Sequence, residues 1–170
     1  MDTKETTTDA SSASDAKSEE EKLLQYMNQW PRLLADLHVL LKQLQRKSLR
    51  GPFNVAQTVA LYLRKVLGTC AFTTIEESMR AIRVLGRKLQ AASPHELVIG
   101  NITRRVLKMI RDVVSDTERS EDTGEGVASL TNLLKLSDMT ESISSAYGGK
   151  FRNIKSDILE VINDEIIEDF

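Results

Sequence analysis

The sequence predicts an all-α protein, an antiparallel helical bundle of about five helices that follows a disordered N-terminal tail. Apolar residues recur at the i, i+3, i+4 and i+7 spacing of amphipathic helices. No stretch of useful length alternates apolar and polar residues as half-buried strands do. Proline, glycine and capping signals divide the chain into helix-sized segments. At 170 residues, the chain is long enough to bury one hydrophobic core.

Residues 1–20 are the predicted tail. They consist almost entirely of Thr, Ser, Asp, Glu, Lys and Ala, so they offer little apolar surface to bury. Residues 21–170 are assigned to the helical domain. A first short helical pattern ends at Trp30, because Pro31 disfavours helical geometry at the preceding residue and favours a new helix start.

An Arg-Gly-Pro break at residues 50–52 separates the next two predicted helices. The helix before the break spans Arg32 to about Lys47, and the helix after it ends at Gly68, a candidate C-cap. Both carry an apolar stripe at helical spacing, formed by Leu33, Leu34, Leu37, Leu40, Leu41 and Leu44 in the first and by Val55, Val59, Leu63, Val66 and Leu67 in the second.

Capping signals mark the following two helix starts. Thr73 and Thr74 each precede a Glu by three residues, which is the capping-box spacing, and the helix they begin is predicted to end near Ala92. The Ser-Pro-His-Glu sequence at 93–96 places a capping Ser before a Pro and a Glu in the expected order. It predicts a helix start at Ser93 and a helix that runs to about Ser115.

The C-terminal part begins with an acidic, glycine-containing segment at 116–128, which is predicted to be a loop inside the domain. A short helix is predicted at 129–137, and the Gly-Gly pair at 148–149 breaks the chain. The last helix is predicted over about 150–168, with an apolar stripe formed by Ile154, Ile158, Val161, Ile162 and Ile166.

The net charge of −2 conceals a strong segregation of charge along the chain. Residues 31–111 contain 15 Lys and Arg but only 4 Asp and Glu. Residues 1–30 contain 3 basic and 7 acidic residues, and residues 112–170 contain 5 basic and 14 acidic residues. Such asymmetry indicates either a charged partner or pairing between the segments.

Seven basic residues in the third and fourth helices of the domain are the candidate partner-binding residues. No Asp or Glu lies between Glu77 and Glu96 or between Glu96 and Asp112, whereas a surface that only provides solubility usually mixes both signs. Arginine suits a phosphate or carboxylate partner because its guanidinium group can bind both oxygens. The candidates are Arg80, Arg83, Arg87, Arg104, Arg105, Lys108 and Arg111.

Three other interpretations of these basic residues remain open. They can form an ordinary solvated surface, or they can be covered from within by the acidic 116–125 segment or the C-terminal helix. They can also bind nucleic acid, although neither helix carries aromatic residues that would stack on bases and no recognition motif is present. A protein partner is therefore favoured over RNA.

Gly100 and Asn101 interrupt a well-predicted helix with two poor helix formers. A glycine inside a helix costs about 1 kcal/mol relative to alanine. We expect a neighbouring helix to approach closely at Gly100, with Asn101 forming a hydrogen bond across the contact.

Nothing in the sequence indicates catalysis, a cofactor or a metal site. Cys70 is the single cysteine, His38 and His95 lack spaced partners, and no glycine-rich phosphate loop is present. The N-terminus lacks the apolar core of a secretory signal, and no segment has the roughly 20 apolar residues of a membrane span. We expect a non-enzymatic protein of the cytosol.

A resemblance to a known family rests on residues 91–112. This stretch has Pro-x-Glu, then Gly-Asn, then Arg-Arg-Val-Leu and Ile-Arg, and it resembles the regulatory subunits of eukaryotic translation initiation factor 2B. The Ser-Leu-x-x-Leu-Leu sequence at 129–134 and the last predicted helix fit the beta type best. The resemblance extends over about residues 32–170.

The resemblance implies a regulatory role in a guanine-nucleotide exchange complex that recharges initiation factor 2 with GTP. In this family the alpha, beta and delta subunits form the regulatory core, and catalysis belongs to the epsilon subunit. The implied partners are the alpha, gamma, delta and epsilon subunits and the alpha subunit of initiation factor 2, whose phosphorylation the N-terminal helical domains sense. The family also has a C-terminal Rossmann-like domain, and we expect this chain to end before it.

Overall fold

The computed structural model describes residues 8–121 and 151–167, with side chains described at 17–117 and 154–166. Within these residues there are helices and no strands, so the all-α bundle is confirmed. The helices are α1 (Thr8–Met27), α2 (Pro31–Gln45), α3 (Pro52–Thr69), α4 (Ile75–Ala92), α5 (Leu97–Glu121) and α6 (Phe151–Ile162), and α6 continues as a π-helical turn (Asn163–Ile167).

Helix α3 lies at the centre of the bundle. It contacts α2, α4, α5, α6 and the π-helical turn. Burial on several faces fits this position, because the helix buries Val55, Ala56, Val59, Ala60, Tyr62, Leu63, Val66 and Leu67. The hydroxyl group of Tyr62 donates a hydrogen bond to the backbone oxygen of Leu33 at 3.4 Å, so this buried polar atom has a partner.

The C-terminal segment closes the core against α3 and α5. Its four isoleucines at a spacing of four residues are at most 2% exposed. Four residues of an α-helix turn about 400°, which is about 40° more than one full turn. Residues spaced four apart therefore shift gradually around the helix. The π-helical turn rotates less per residue and offsets this drift, which keeps Ile166 on the same buried face as Ile154, Ile158 and Ile162.

Three predicted helix starts are confirmed. Pro31 occupies the first position of α2 after Trp30. Gly51 precedes α3 with a φ of +85°, a conformation that glycine adopts without strain. At α4, the side chain of Thr74 accepts a hydrogen bond from the backbone N–H of Glu77 at 3.1 Å, while the Glu77 carboxylate accepts one from the backbone N–H of Thr73 at 2.9 Å.

The predicted N-cap at Ser93 is wrong. Ser93 ends α4 as its C-cap, and α5 begins at Leu97. The physical reason is the side chain of Gln90, whose Nε2 donates to the backbone oxygens of Ser93, Pro94 and Glu96 at 3.2–3.3 Å. These hydrogen bonds stabilise residues 93–96 as a turn.

The prediction of disorder over residues 1–20 is wrong from Thr8 onward, where α1 begins. Apolar side chains near the end of this helix pack on the core, and Met27 is fully buried. Glu19 and Glu20 form ion pairs with α4. These contacts attach the second half of α1 to the bundle, which the composition of residues 1–20 did not predict. Residues 1–7 lie outside the described residues.

Two predicted helix ends also differ from the structure. Helix α5 continues to Glu121 rather than ending near Ser115, so the expected loop cannot begin at residue 116. Gly68 lies inside α3 and is not its C-cap. A Cβ there would lie 3.7 Å from Cδ1 of Leu159, so α6 packs directly over it. The rest of the predicted loop, the 129–137 helix and the glycine break fall outside the described residues.

Helices α4 and α5 run antiparallel and approach most closely at Gly86. A Cβ built on Gly86 would lie 2.3 Å from Cγ2 and 2.7 Å from Oγ1 of Thr103. No side chain fits at that separation. The Thr103 hydroxyl donates to the backbone oxygen of Ile99 at 2.8 Å, so the contact leaves no buried polar atom unpaired.

We predict that Gly86→Ala lowers the free energy of unfolding by about 1–3 kcal/mol, because the added methyl group overpacks the contact with Thr103. The matched control is Gly100→Ala. Its Cβ would lie 3.2 Å from Oε1 of Gln90 and 4.0 Å from Nη2 of Arg104, which is far less crowded than position 86, and alanine favours the helix. Urea denaturation followed by circular dichroism measures both variants. Equal stability of the two would contradict the close approach at Gly86.

Candidate partner-binding groove

An open groove of about 490 Å³ lies between α4 and α5, with one residue of α1 at its edge. Four arginines contribute to its walls, so the groove presents several guanidinium groups to one ligand. The lining residues are Glu19, Arg80, Arg83, Gly86, Arg87, Gln90, Gly100, Thr103, Arg104 and Leu107.

Three of these arginines come from α4. Spacings of three and four residues place Arg80, Arg83 and Arg87 on one helical face, and all three are exposed. The opposite face of α4 is buried in the core, including Ile82 and Leu85. The capping hydrogen bonds at Thr74 fix where the helix begins and therefore which side chains point outward.

Of the four basic candidates on α5, Arg104 is the one that lines the groove, beside Gly100, Thr103 and Leu107. The Nη2 of Arg104 donates to Oδ1 of Asn101 at 2.5 Å, which fixes the guanidinium group near the groove wall. Lys108 is exposed and forms an ion pair with Asp112 at 3.7 Å. Arg111 is exposed but does not line the groove.

Arg105 lies apart from the other candidates. Its Nη2 donates to the backbone oxygen of Glu165 in the π-helical turn. The guanidinium group therefore joins α5 to the C-terminal segment. Of the seven predicted residues, four line the groove, Arg105 binds the C-terminal segment, and Lys108 and Arg111 are exposed on α5 outside the groove lining.

The contacts of Gly100 and Asn101 differ from those predicted. The backbone N–H of Gly100 donates to Oε1 of Gln90 at 3.0 Å, so a side chain of α4, rather than a backbone, approaches the glycine. Asn101 is exposed and contacts Arg104 of its own helix, so its predicted hydrogen bond across the contact is wrong. The hydrogen bond between the two helices is made by Gln90 instead. No periodic pattern in the sequence predicts this role of Gln90.

The acidic N-terminal segment supplies counter-charges to α4. A carboxylate oxygen of Glu19 lies 2.7 Å from Nη2 of Arg87, and Glu20 pairs with Lys88. One alternative for the basic candidates was internal cover by the 116–125 segment or the C-terminal helix. Among the described residues, Glu19 of α1 covers Arg87 and the C-terminal segment covers Arg105. The sequence signal for the contact with α1 is the Glu-Glu-Glu run at 19–21, which spans the predicted boundary between tail and domain.

Titratable groups elsewhere give no sign of a reactive site within the described part of the chain. Cys70 is fully buried, and burial raises the pKa of its thiol to about 11. His38 and His95 are exposed. No cluster of His, Cys, Asp and Glu among the described residues could hold a metal ion, and none of the described helices has the length and apolar character needed to cross a bilayer.

Sequence comparison finds relatives for part of the chain. No protein-family model matches it. The beta subunit of translation initiation factor eIF2B from Schizosaccharomyces pombe is 33% identical over 86 residues, which are 51% of this chain and 22% of that protein. The beta subunit from Dictyostelium discoideum is 36% identical over 69 residues, 41% of this chain and 18% of that protein.

Solved structures with a similar fold are an eIF2B beta subunit and a chain of an eIF2B beta–delta complex. The crystal structure of eIF2B beta from Chaetomium thermophilum has a TM-score of 0.57 and 28% identity, covering 79% of this chain and 38% of that one. A chain of the tetrameric eIF2B-beta2-delta2 complex from C. thermophilum has a TM-score of 0.55 and 26% identity, covering 80% of this chain and 34% of that one. The resemblance to the helical part of the beta subunit is confirmed, and this chain spans well under half the length of these proteins.

A pH-dependent test concerns the cap that starts α4. Burial raises the pKa of the Glu77 carboxyl, but hydrogen bonds from Thr73 and Thr74 and the charge of Arg80 outweigh it, so the pKa is lowered from 4.5. A carboxyl group with a lower pKa in the folded chain than in the unfolded chain stabilises the fold at pH values above the unfolded-state pKa. This stabilisation is lost as the pH falls through the folded-state pKa.

We predict that Glu77→Gln lowers the free energy of unfolding at neutral pH by up to about 1 kcal/mol, within the range of an exposed cap. The difference from the wild type should begin to shrink as pH falls below about 4.5, where the carboxyl of the unfolded chain takes up a proton, and should be lost once pH falls below the lowered pKa of the folded Glu77 carboxyl. Urea denaturation at several pH values provides the measurement. Glu76→Gln is the control because it leaves the Thr73 contacts of Glu77 in place, and a pH-independent effect of Glu77→Gln would contradict the assignment.

Proposed function

We propose that this chain is the helical, non-catalytic part of a beta-type regulatory subunit of initiation factor 2B, the exchange complex that converts GDP-bound to GTP-bound initiation factor 2. The sequence and fold similarity to eIF2B beta subunits supports the subunit type. The similarity to a chain of a beta–delta complex supports sister subunits as partners. In the proposed assembly, the helical domain occupies residues 21–170.

We further propose that the four-arginine groove binds the alpha subunit of initiation factor 2 and responds to its phosphorylation. The observation that carries this proposal is the convergence of Arg80, Arg83, Arg87 and Arg104 on one groove. Guanidinium groups bind carboxylates and phosphates through paired hydrogen bonds, so the groove suits an acidic or phosphorylated protein surface. One wall, α5, contains most of the segment on which the family resemblance rests.

RNA fits the charge of the groove but not its composition. Proteins that hold single strands without sequence preference combine positive charge with aromatic rings on which bases stack. No aromatic residue lines the groove. The rings of Tyr26 and Phe72 line a neighbouring cavity that shares Glu19 and Arg80 with the groove. Their centroids lie 5.9 Å apart, and the ring of Tyr26 also contacts Trp30 at 5.1 Å.

Reversing charge at two groove arginines tests the proposal. We predict that Arg83→Glu with Arg104→Glu weakens binding of the 170-residue chain to the alpha subunit of initiation factor 2 about tenfold, because both guanidinium groups line the groove. Titration calorimetry with the phosphorylated and unphosphorylated factor subunit gives the affinities. Both substitutions are at exposed positions, so circular dichroism should show an intact helical fold.

The matched control reverses the same number of charges at two positions outside the groove lining, one in α2 and one at its C-cap. Arg32→Glu with Arg46→Glu alters two exposed positions and produces the same net charge. This control should bind like the wild type after allowance for long-range screening. Equal weakening by both double variants would show a general charge effect, and unchanged binding of the groove variant would remove the groove from the proposed function.

A further inference from the structure

The acidic end of α1 is in contact with the groove that the proposed function uses. Glu19 lines the groove together with the four arginines, and its carboxylate lies 2.7 Å from Nη2 of Arg87. The next residue, Glu20, pairs with Lys88, the next residue of α4. One carboxylate of the same chain therefore occupies an arginine of the groove, and the next carboxylate holds α1 against α4 in the neighbouring cavity lined by Glu20 and Lys88.

We propose that Glu19 and Glu20 act as an internal mimic of an acidic protein segment, and that a partner must displace them to use the whole groove. A carboxylate on a guanidinium group is the contact that an acidic partner would make. The Nη2 group of Arg87 lies 2.7 Å from the Glu19 carboxylate. The N–H that binds Glu19 cannot at the same time bind a carboxylate of a partner. The inference rests on the proposed function, because it assumes that the groove binds a protein partner.

The contact is weak enough to be displaced. The side chains of Glu19 and Arg87 are 44% and 55% exposed. An exposed ion pair of this kind shifts an equilibrium by about 1.5- to fivefold. Such a contact lowers the affinity for a partner without closing the groove.

Residues 17–20 can leave α4 without disturbing the core. The apolar anchors of α1 lie after this segment: Leu23, Leu24 and Tyr26 pack against the core, and Met27 is fully buried. Within the described side chains of α1 the apolar anchors begin at Leu23, and helical turns without such anchors open at lower cost than anchored ones. Displacement therefore requires only the loss of the two ion pairs and local unwinding or movement of α1.

The chemistry favours an acidic peptide over RNA as the competing ligand. The resident groups are carboxylates, and the groove lining includes the polar side chains of Gln90 and Thr103 but no aromatic ring. A hexaglutamate peptide carrying a fluorophore is accordingly the probe, and hexauridylate carrying the same fluorophore is the comparison.

Fluorescence anisotropy at low salt compares the full 170-residue wild type with Glu19→Gln and with the matched control Glu21→Gln. Glu21 is exposed and carries the same charge on the same helix, but it does not line the groove. We expect Glu19→Gln to bind hexaglutamate about two- to fivefold more tightly than the wild type. Glu21→Gln should change the affinity by less than about 1.5-fold, and circular dichroism should show equal helix content in both variants.

The remaining outcomes separate this inference from the proposed function. If Glu19→Gln and Glu21→Gln increase the affinity for hexaglutamate equally, Glu19 does not compete with the peptide and this inference is wrong. If Arg83→Glu with Arg104→Glu still weakens hexaglutamate binding in that case, the groove remains the binding site. Failure of that double variant to weaken hexaglutamate binding, or no binding by the wild type, would overturn both. Tighter binding of hexauridylate than of hexaglutamate would overturn the acidic-peptide assignment.

Discussion

The close packing of α4 on α5 at Gly86 is the constraint on which the rest of the groove depends. The side chain of Thr103 occupies the space that a Cβ at position 86 would need, so only glycine permits this separation of the helices. The distance between the two helices sets the width of the groove and the positions of its arginines. Gln90 then fixes the turn between the helices and binds the backbone of Gly100, which holds their relative register.

Charge segregation along the chain becomes pairing between its segments in the fold. The acidic run in α1 lies against the basic face of α4, where Glu19 and Glu20 meet Arg87 and Lys88. Several other cations bind backbone oxygens: Arg105 contacts the C-terminal turn, and Lys155 donates to the carbonyl of Cys70 at 2.9 Å. These two cations attach α6 and the π-helical turn to the rest of the bundle. A basic residue in this sequence therefore does not by itself indicate a partner-binding surface.

The family resemblance and the physical organisation of the groove concern the same stretch of chain. Residues 91–112 contain the turn that Gln90 fixes, the glycine that it contacts and the arginine that completes the groove. Much of that pattern therefore has a packing reason as well as a functional one. The groove also contains exposed arginines that helix packing does not require. These arginines are the observation that supports a binding partner.

The sequence by itself determined the helical class, the starts at Pro31, Gly51-Pro52 and Thr74, and the exposed basic faces of α4 and α5. These depend on local periodicity and on caps whose partners lie within a few residues. The tertiary structure alone decided that α1 extends to Thr8, that Ser93 ends a helix, and that four of the seven basic candidates share one groove. Each of these depends on contacts between residues distant in the sequence, such as Glu19 with Arg87, or on one side chain, Gln90, that serves several carbonyl groups at once. Local patterns carry no information about such contacts, because the partner is selected by how the helices pack.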